Sequence, residues 1–270
     1  MKKKLSLIWF IYKYGIEKYF SKNFKMYSPS VAGDSSLKGK HTVETINLIF
    51  PLISKLLLKL NIKSKIINSN IFSVGKKRAE FSSKIKKLFD FYGSDKAKYH
   101  DYHLIYSSIF MNNSKVKKIL EIGMGTNDEN LLSNMGINGK PGASLMAFRD
   151  FFKNAKIYGA DIDKNILFKD YRIKTSYVDQ TSEESLRKLF KKFGKNFDLI
   201  IDDGLHAPYA NINVIITSLN CINKNGWIII EDIPIKAKPI WEVINFLISF
   251  KYNCKLIKTK STYVFLINKK

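Results

Sequence analysis

Two apolar runs in this 270-residue chain end in paired acids. Phe197–Ile201 leads into Asp202 and Asp203, with His206 three residues on, and Trp227–Ile230 leads into Glu231 and Asp232. Runs this rich in Ile and Leu read as strands buried on both faces, as in a parallel sheet. Ligands of open parallel sheets sit at the carboxyl ends of the strands. Four carboxylates and an imidazole are therefore expected at one sheet edge, where chemistry is usually done. Acids at strand ends are often caps or loop solubilisers. Four of them with a histidine, on adjacent strands, argue for a functional site.

The upstream strand ends indicate what such a site would hold. Lys118–Ile122 reads as a buried strand that runs into EIGMG, residues 121–125. Glycines after a first strand, here Gly123 and Gly125, let the backbone approach a nucleotide or an adenosyl ligand. The dinucleotide fingerprint fails, because its third glycine falls on Asp128. Glu121 could orient the glycine loop or touch the cofactor. The turn-rich stretch Thr126–Lys140 reads as an insertion, and PGASL at 141–145 then starts a helix through Phe152. Gly142 would clear space there, with Ser144 and the free N–H groups of the first turn facing an anion such as a carboxylate. A second strand, Lys156–Ala160, ends at Asp161, placed to accept the ribose hydroxyls of an adenosine-type cofactor. A third, Ile173–Val178, ends at Asp179 and Gln180, and an amide there can read an adenine edge. Glu183–Phe193 and Pro239–Phe250 read as helices. Cys254–Lys258 and Thr262–Ile267 are separated by so short a link that they must form an antiparallel hairpin.

The elements that position these residues thus make an α/β, Rossmann-like domain. Its sheet is expected to be mostly parallel and seven-stranded, closing in an antiparallel C-terminal hairpin, the arrangement found in class I methyltransferases. The boundaries read as a basic, mostly helical N-terminal extension over residues 1–80 and the domain proper over 81–270, with a lid-like segment at 81–113. In that segment His100 and His103 sit among aromatics and read as packing or lid residues rather than metal ligands. Within the extension, Leu5–Tyr12 is too short to span a bilayer and lacks a cleavage site. Ser28–Lys40 reads as a loop or linker, and Ile46–Leu60 as an amphipathic helix. That basic, aromatic extension could lie on an anionic membrane surface, or pack on the domain or on a second subunit.

The net charge of +23 raises the question of nucleic acid. Only four of the 46 basic residues are Arg, the residue of bidentate base contacts, so no specific nucleic-acid partner is expected. The excess is lopsided, with 19 basic and 5 acidic residues in positions 1–90. Two cysteines, Cys221 and Cys254, indicate a reduced compartment, the cytoplasm, and no disulfide framework.

In order and spacing, EIG-x-G, PGASL, YGADID, YVDQ, DDGLH and EDIP resemble the S-adenosylmethionine-dependent sugar O-methyltransferases of the macrocin/mycinamicin type. Relatives encoded with bacterial surface-polysaccharide genes look closer still. GSDK-x-x-x-H at 93–100 looks like the same group's upstream motif. The resemblance covers roughly residues 92–235 by motif, and residues 1–80 match no known pattern. It implies S-adenosyl-L-methionine as cofactor, bound around Glu121, Gly123, Gly142, Ser144, Asp161, Asp179, Gln180 and Asp202. It also implies Mg²⁺ held by Asp203, Glu231 and Asp232, His206 as general base, and a sugar or glycan acceptor. Asp202 would face the cofactor or brace the loop. The rival readings are a nucleic-acid methyltransferase, for which N-P-P-Y-like residues should stand where Asp202–Leu205 stand, a metal-independent small-molecule methyltransferase, and an NAD-linked or non-catalytic Rossmann protein.

Overall fold

A computed structural model describes residues 9, 11–12, 15–24, 27–29, 34–62, 65–73, 75–111 and 113–269. Most of the apolar run Leu5–Tyr12 lies outside the described residues. The chain divides into two compact units, Met1–Lys63 and Ser64–Lys270.

In the first unit, helix α1 (Ile16–Asn23) and helix α2 (Ser35–Lys59) meet where Ser36 Oγ donates to Glu17 Oε2 at 2.9 Å. The stretch read as a loop to Lys40 turns helical at Ser35. Asp34 is the reason: its Oδ1 accepts from the backbone N–H groups of Ser36 and Leu37, at 2.7 and 3.1 Å. Helix α2 contains the expected amphipathic segment and carries Pro51 inside it. By length and composition it is also apolar enough to cross a membrane. Leu48, Ile49, Leu52 and Leu56 on it are exposed.

The second unit is built on a nine-stranded sheet in the order β1-β8-β9-β7-β6-β2-β3-β5-β4. Its parallel centre is β7 (Ile222–Ile233), β6 (Phe197–Asp202), β2 (Lys118–Ile122), β3 (Lys156–Asp161) and β5 (Ile173–Tyr177). The hairpin of β8 (Asn253–Lys258) and β9 (Tyr263–Asn268) is antiparallel, with β9 antiparallel to β7. Seven strands were expected and two more are found. β1 (Ile66–Asn68) lies parallel to β8, and β4 (Lys169–Asp170) antiparallel to β5. Segments of two or three residues show no alternation, so only the sheet edge they pair with defines them. β1 also moves the boundary, since residues 66–68 of the expected helical extension belong to the sheet.

Alternate strand residues feed two cores. Ile119, Leu199 and Ile201 pack on one face with helices α3 (Lys76–Tyr92), α4 (Tyr102–Ile109) and α5 (Ala143–Phe151) through Phe89, Tyr106 and Phe148. Leu120, Ile122 and Ile200 pack on the other with α6 (Glu183–Phe193), α7 (Pro208–Ser218) and α8 (Lys238–Ser249) through Leu189, Val214 and Trp241. This is the period of two that a doubly covered sheet requires. The segment read as lid-like is part of this packing, with Phe89, Tyr102, Ile105 and Tyr106 fully buried. Trp241 is 0 % exposed and stacks near Phe265, their centroids 5.2 Å apart. Trp241→Ala should cost ~3–5 kcal/mol in urea unfolding, the usual range for deleting a buried aromatic side chain.

Candidate active site

Because β2, β3, β5, β6 and β7 run parallel, their carboxyl ends share one edge. Asp161, Asp202, Glu231 and Asp232 all come there, as the alternation predicts. Two irregularities then fix how they point. Opposite β9, the pairing of β7 shifts register between Ile230 and Ile233, a bulge that contains Glu231 and Asp232. Neighbours on a regular strand face opposite sides of the sheet, yet both of these acids bond side chains of α4. Tyr106 Oη donates to Glu231 Oε1 at 2.7 Å, and Tyr102 Oη donates to Asp232 Oδ1 at 2.7 Å. Asp232 takes φ 49° and His206 takes φ 56°. A left-handed backbone at two non-glycine residues is strain of the kind that clusters at functional sites.

The cluster's centre is a residue that sequence reasoning did not place. Gly93 ends α3 in the left-handed conformation, φ 82°, and the chain turns inward through Ser94 to Lys96. Lys96 is 2 % exposed. Its Nζ lies 2.6 Å from Asp203 Oδ2 and 3.1 Å from Glu121 Oε1, and it also donates to Glu231 Oε2. Burial disfavours the Lys96 ammonium, but Asp203, Glu231 and Glu121 hold its pKa well above the ordinary lysine range. Burial in turn raises the carboxyls of Glu121, Asp203 and Glu231, against the pull of Lys96. The only signal in the sequence was the GSDK motif itself.

His100 supplies a second cationic contact. Its Nδ1 is 3.0 Å from Asp232 Oδ1 and its Nε2 3.7 Å from Asp95 Oδ2. Burial opposes the imidazolium, but bonds and attraction from Asp232 and Asp95 outweigh it and raise His100 to about 10. His100 in return holds Asp232 far below the usual carboxylate range, although burial acts the other way. His100, expected as a packing or lid residue, lies against Tyr102 with ring centroids 5.1 Å apart and also braces Asp232.

Beside this cluster a cleft of about 540 Å³ is lined by Gly123, Asp161, Asp179, Gln180, Asp203 and Leu132. Gly123 has φ 86°, and a Cβ on it would stand 2.2 Å from the Asp203 carbonyl oxygen. Glycine is required there so that the first strand's loop can pass the fourth central strand. Several of the expected cofactor contacts turn out to build the cleft's walls. Asp161 Oδ2 accepts from Met124 N at 2.7 Å and Oδ1 from Asp163 N at 3.0 Å, while the residue still faces the cleft. Gln180 is spent on both sides, its Nε2 donating to Asp202 Oδ1 at 2.5 Å and its Oε1 accepting from Leu205 N at 2.8 Å. Gln180 still lines the cleft, and its amide has a second N–H beyond the one given to Asp202. Ser144 Oγ donates to the fully buried Glu121 at 2.6 Å. Gly142 clears space for Phe168, whose Cε1 would lie 2.7 Å from an added Cβ. The insertion folds over the loop: Met135 N donates to Thr126 O at 2.8 Å, and the Met135 side chain fills the space left by Gly125.

Asp202, expected to face the cofactor or brace the loop, makes bracing contacts. It is 0 % exposed and accepts from Gln180 and, at 2.9 Å, from Asn211 Nδ2, while burial pushes its carboxyl up to about 6.

Two groups of ligand atoms lie close enough to share a cation, each group's atoms within 4.8 Å of one another: Asp203, His206 and Asp232, and Glu121, Asp203 and Glu231. The second is occupied by the Lys96 ammonium. In the first, Asp203 Oδ1 and Asp232 Oδ2 make no hydrogen bond among the described residues, and His206 Nδ1 is buried without a partner. Two carboxylate oxygens and an orphaned imidazole fit a divalent cation. Glu231, expected as a ligand, has both oxygens engaged by Lys96 and Tyr106.

This fold is the Rossmann-like fold of class I methyltransferases. The MycE methyltransferase of mycinamycin biosynthesis, solved with Mg and SAH, superposes with a TM-score of 0.56 at 21% identity, over 69% of this chain and 55% of that one. A form that also contains mycinamycin VI gives 0.56 at 18% identity, over 90% of this chain and 64% of that one. In sequence the chain is similar to sugar O-methyltransferases. The 8-demethyl-8-alpha-L-rhamnosyl tetracenomycin-C 2'-O-methyltransferase of Streptomyces olivaceus is 28% identical over 152 residues, 56% of this chain and 38% of that protein. The mycinamicin VI 2''-O-methyltransferase of Micromonospora griseorubida is 34% identical over 92 residues, 34% of this chain and 23% of that protein. The chain thus spans well under half the length of these curated relatives. No family model matches it.

Asp202→Asn preserves shape but sets an amide N–H₂ against donors already fixed by Gln180 and Asn211. It should cost ~1–3 kcal/mol in urea unfolding; an unchanged midpoint would show that these donors do not depend on a carboxylate.

Proposed function

We propose that this protein is an S-adenosyl-L-methionine-dependent O-methyltransferase that moves a methyl group to a sugar hydroxyl. The observation that carries the reading is the juxtaposition of Asp203, His206 and Asp232 beside the cleft lined by Gly123, Asp161 and Asp179. The cleft receives the cofactor, with Asp161 and Asp179 toward its ribose and base. A sugar hydroxyl is a poor nucleophile until its proton leaves. His206, whose Nδ1 has no protein partner, takes that proton as the hydroxyl oxygen attacks the methyl carbon and the carbon–sulfur bond breaks. General-base help of this kind is worth ~10²–10⁴-fold. Asp203 and Asp232 are the residues that would hold Mg²⁺, which lowers the pKa of a coordinated hydroxyl and fixes its oxygen. His100 and Tyr102 keep Asp232 ionised and aimed.

The acceptor we assign is a glycan of bacterial surface-polysaccharide biosynthesis, capsule or O-antigen, handled in the cytoplasm at the inner face of the membrane. The exposed Leu and Ile residues of α2 and the basic excess of the first 90 residues support a peripheral membrane contact. The competing occupant of that surface is a second copy of the chain. Flotation with vesicles containing anionic lipid, but not with neutral ones, is the expected result, and Leu52→Glu together with Leu56→Glu should abolish it. A concentration-dependent dimer lost in the same variant, without flotation, would assign the surface to self-association.

Calorimetry tests the central reading. S-adenosylmethionine binding should survive EDTA, while separate Mg²⁺ binding is lost in Asp203→Ala. Cofactor binding with no metal binding would leave a metal-independent methyltransferase relying on His206. Absence of cofactor binding would refute the methyltransferase reading.

A further inference from the structure

His206 holds φ 56°, a left-handed backbone that a residue with a Cβ keeps only where its neighbours impose it. That torsion turns about the N–Cα bond of His206, whose nitrogen belongs to the Leu205–His206 peptide. Beyond His206 the chain enters α7 at Pro208, and α7 is anchored in the core through Ala210 and Val214. With the helix fixed, the plane of the Leu205–His206 peptide sets φ. Leu205 is gripped on both of its polar groups. Its N–H donates to Gln180 Oε1 at 2.8 Å, and its carbonyl oxygen accepts from Ser133 Oγ at 3.0 Å. Ser133 reaches that carbonyl from 72 positions away, out of the stretch 126–140. The stretch is built to hold Ser133 still. Thr126 Oγ1 donates to Asp163 Oδ2 at 2.5 Å, and Asn127 Nδ2 donates to the carbonyls of Gly136 and Gly139 at 2.6 and 3.0 Å. Leu132 and Ser133 line the same cleft as Leu205, so the bond also joins two of the cleft's walls.

We propose that residues 126–140 are a positioning arm of the reaction site: Ser133 fixes the peptide ahead of His206 and thereby aims its imidazole. Ser133 is a positioning residue, because it acts through the Leu205 carbonyl and not on the reacting atoms. Losing one neutral hydrogen bond shifts a conformational equilibrium by roughly two- to tenfold. Applied to a backbone already in an unfavourable well, that shift populates a second conformation of His206. The inference deepens the methyltransferase reading and rests on it for what His206 does. The coupling of Ser133 to His206 stands on the contacts alone.

Nuclear magnetic resonance on the full chain with isotope-labelled histidine tests it, since the sequence holds four histidines: His41, His100, His103 and His206. The His206 amide signal is identified by its loss in His206→Gln, and in wild type it should be single and sharp. Ser133 itself takes φ 58°. Ser133→Gly is at ease there and lacks the hydroxyl, so it removes the bond without adding strain. It should broaden or split the His206 signal and leave those of His100 and His103 in place. Ser133→Asn tolerates a left-handed backbone and offers an N–H donor, and should return the signal to wild type. An unchanged His206 signal in Ser133→Gly would overturn the inference. Equal disturbance of His100 and His103 would do the same, as it reports general loosening. A His206 signal disturbed as much in Ser133→Asn would assign the effect to lost packing, and the inference would fall. Calorimetric titration of wild type with S-adenosylmethionine keeps the two failures apart. Without cofactor binding, the methyltransferase reading and the arm's part in catalysis are refuted, even where His206 follows Ser133.

Discussion

The ammonium of Lys96, buried against Glu121, Asp203 and Glu231, is the contact on which the carboxyl edge of the sheet depends. Three carboxylates on three neighbouring strands cannot be gathered in a closed space without a counter-charge, because each would lose its hydration and repel the others. A lysine on the segment between α3 and α4 supplies the charge. It also ties that segment to the sheet, so the helices that cover one face and the acids at its edge are held by the same interaction. A buried ion pair of this sort is weak evidence of stability in itself, since desolvation offsets much of the attraction. Its effect here is to specify where each oxygen points.

Around that centre, polar groups are arranged in two layers. The inner one is braced by side chains: Gln180 and Asn211 on Asp202, Ser144 on Glu121, Tyr106 on Glu231. The outer one is left with unused capacity: Asp203 Oδ1, Asp232 Oδ2 and His206 Nδ1. Fully satisfied buried networks hold one geometry, and a site needs such support to keep its unsatisfied groups in place. The β7 bulge, the left-handed backbones of His206 and Asp232, and the close passage of Gly123 over Asp203 belong to the same support. Each sets a local conformation that would be unfavourable alone and that the surrounding contacts over-determine.

The candidate site was legible in outline. Continuous apolar runs ended by acids read as buried parallel strands, which puts Asp161, Asp202, Asp203, Glu231 and Asp232 at one edge. Which of them serve the ligand was not legible, because Asp, Gln and Ser are the residues of choice for loop bracing as well as for binding. Asp202, Gln180 and Ser144 each bond a neighbouring side chain, and nothing in their spacing foretells those bonds.

By itself the sequence determined the α/β class, the positions of the seven main strands along the chain, the terminal hairpin and the edge at which the acids collect. These depend on local hydrophobic period and on link lengths too short for any alternative. The tertiary structure alone decided that Lys96, 107 positions before Asp203, enters the acidic cluster, that His100 braces Asp232, and that Lys96 and Tyr106 bond Glu231. The physical reason is that a buried charge chooses its partner by where folding places it, and sequence separation leaves no record of that choice.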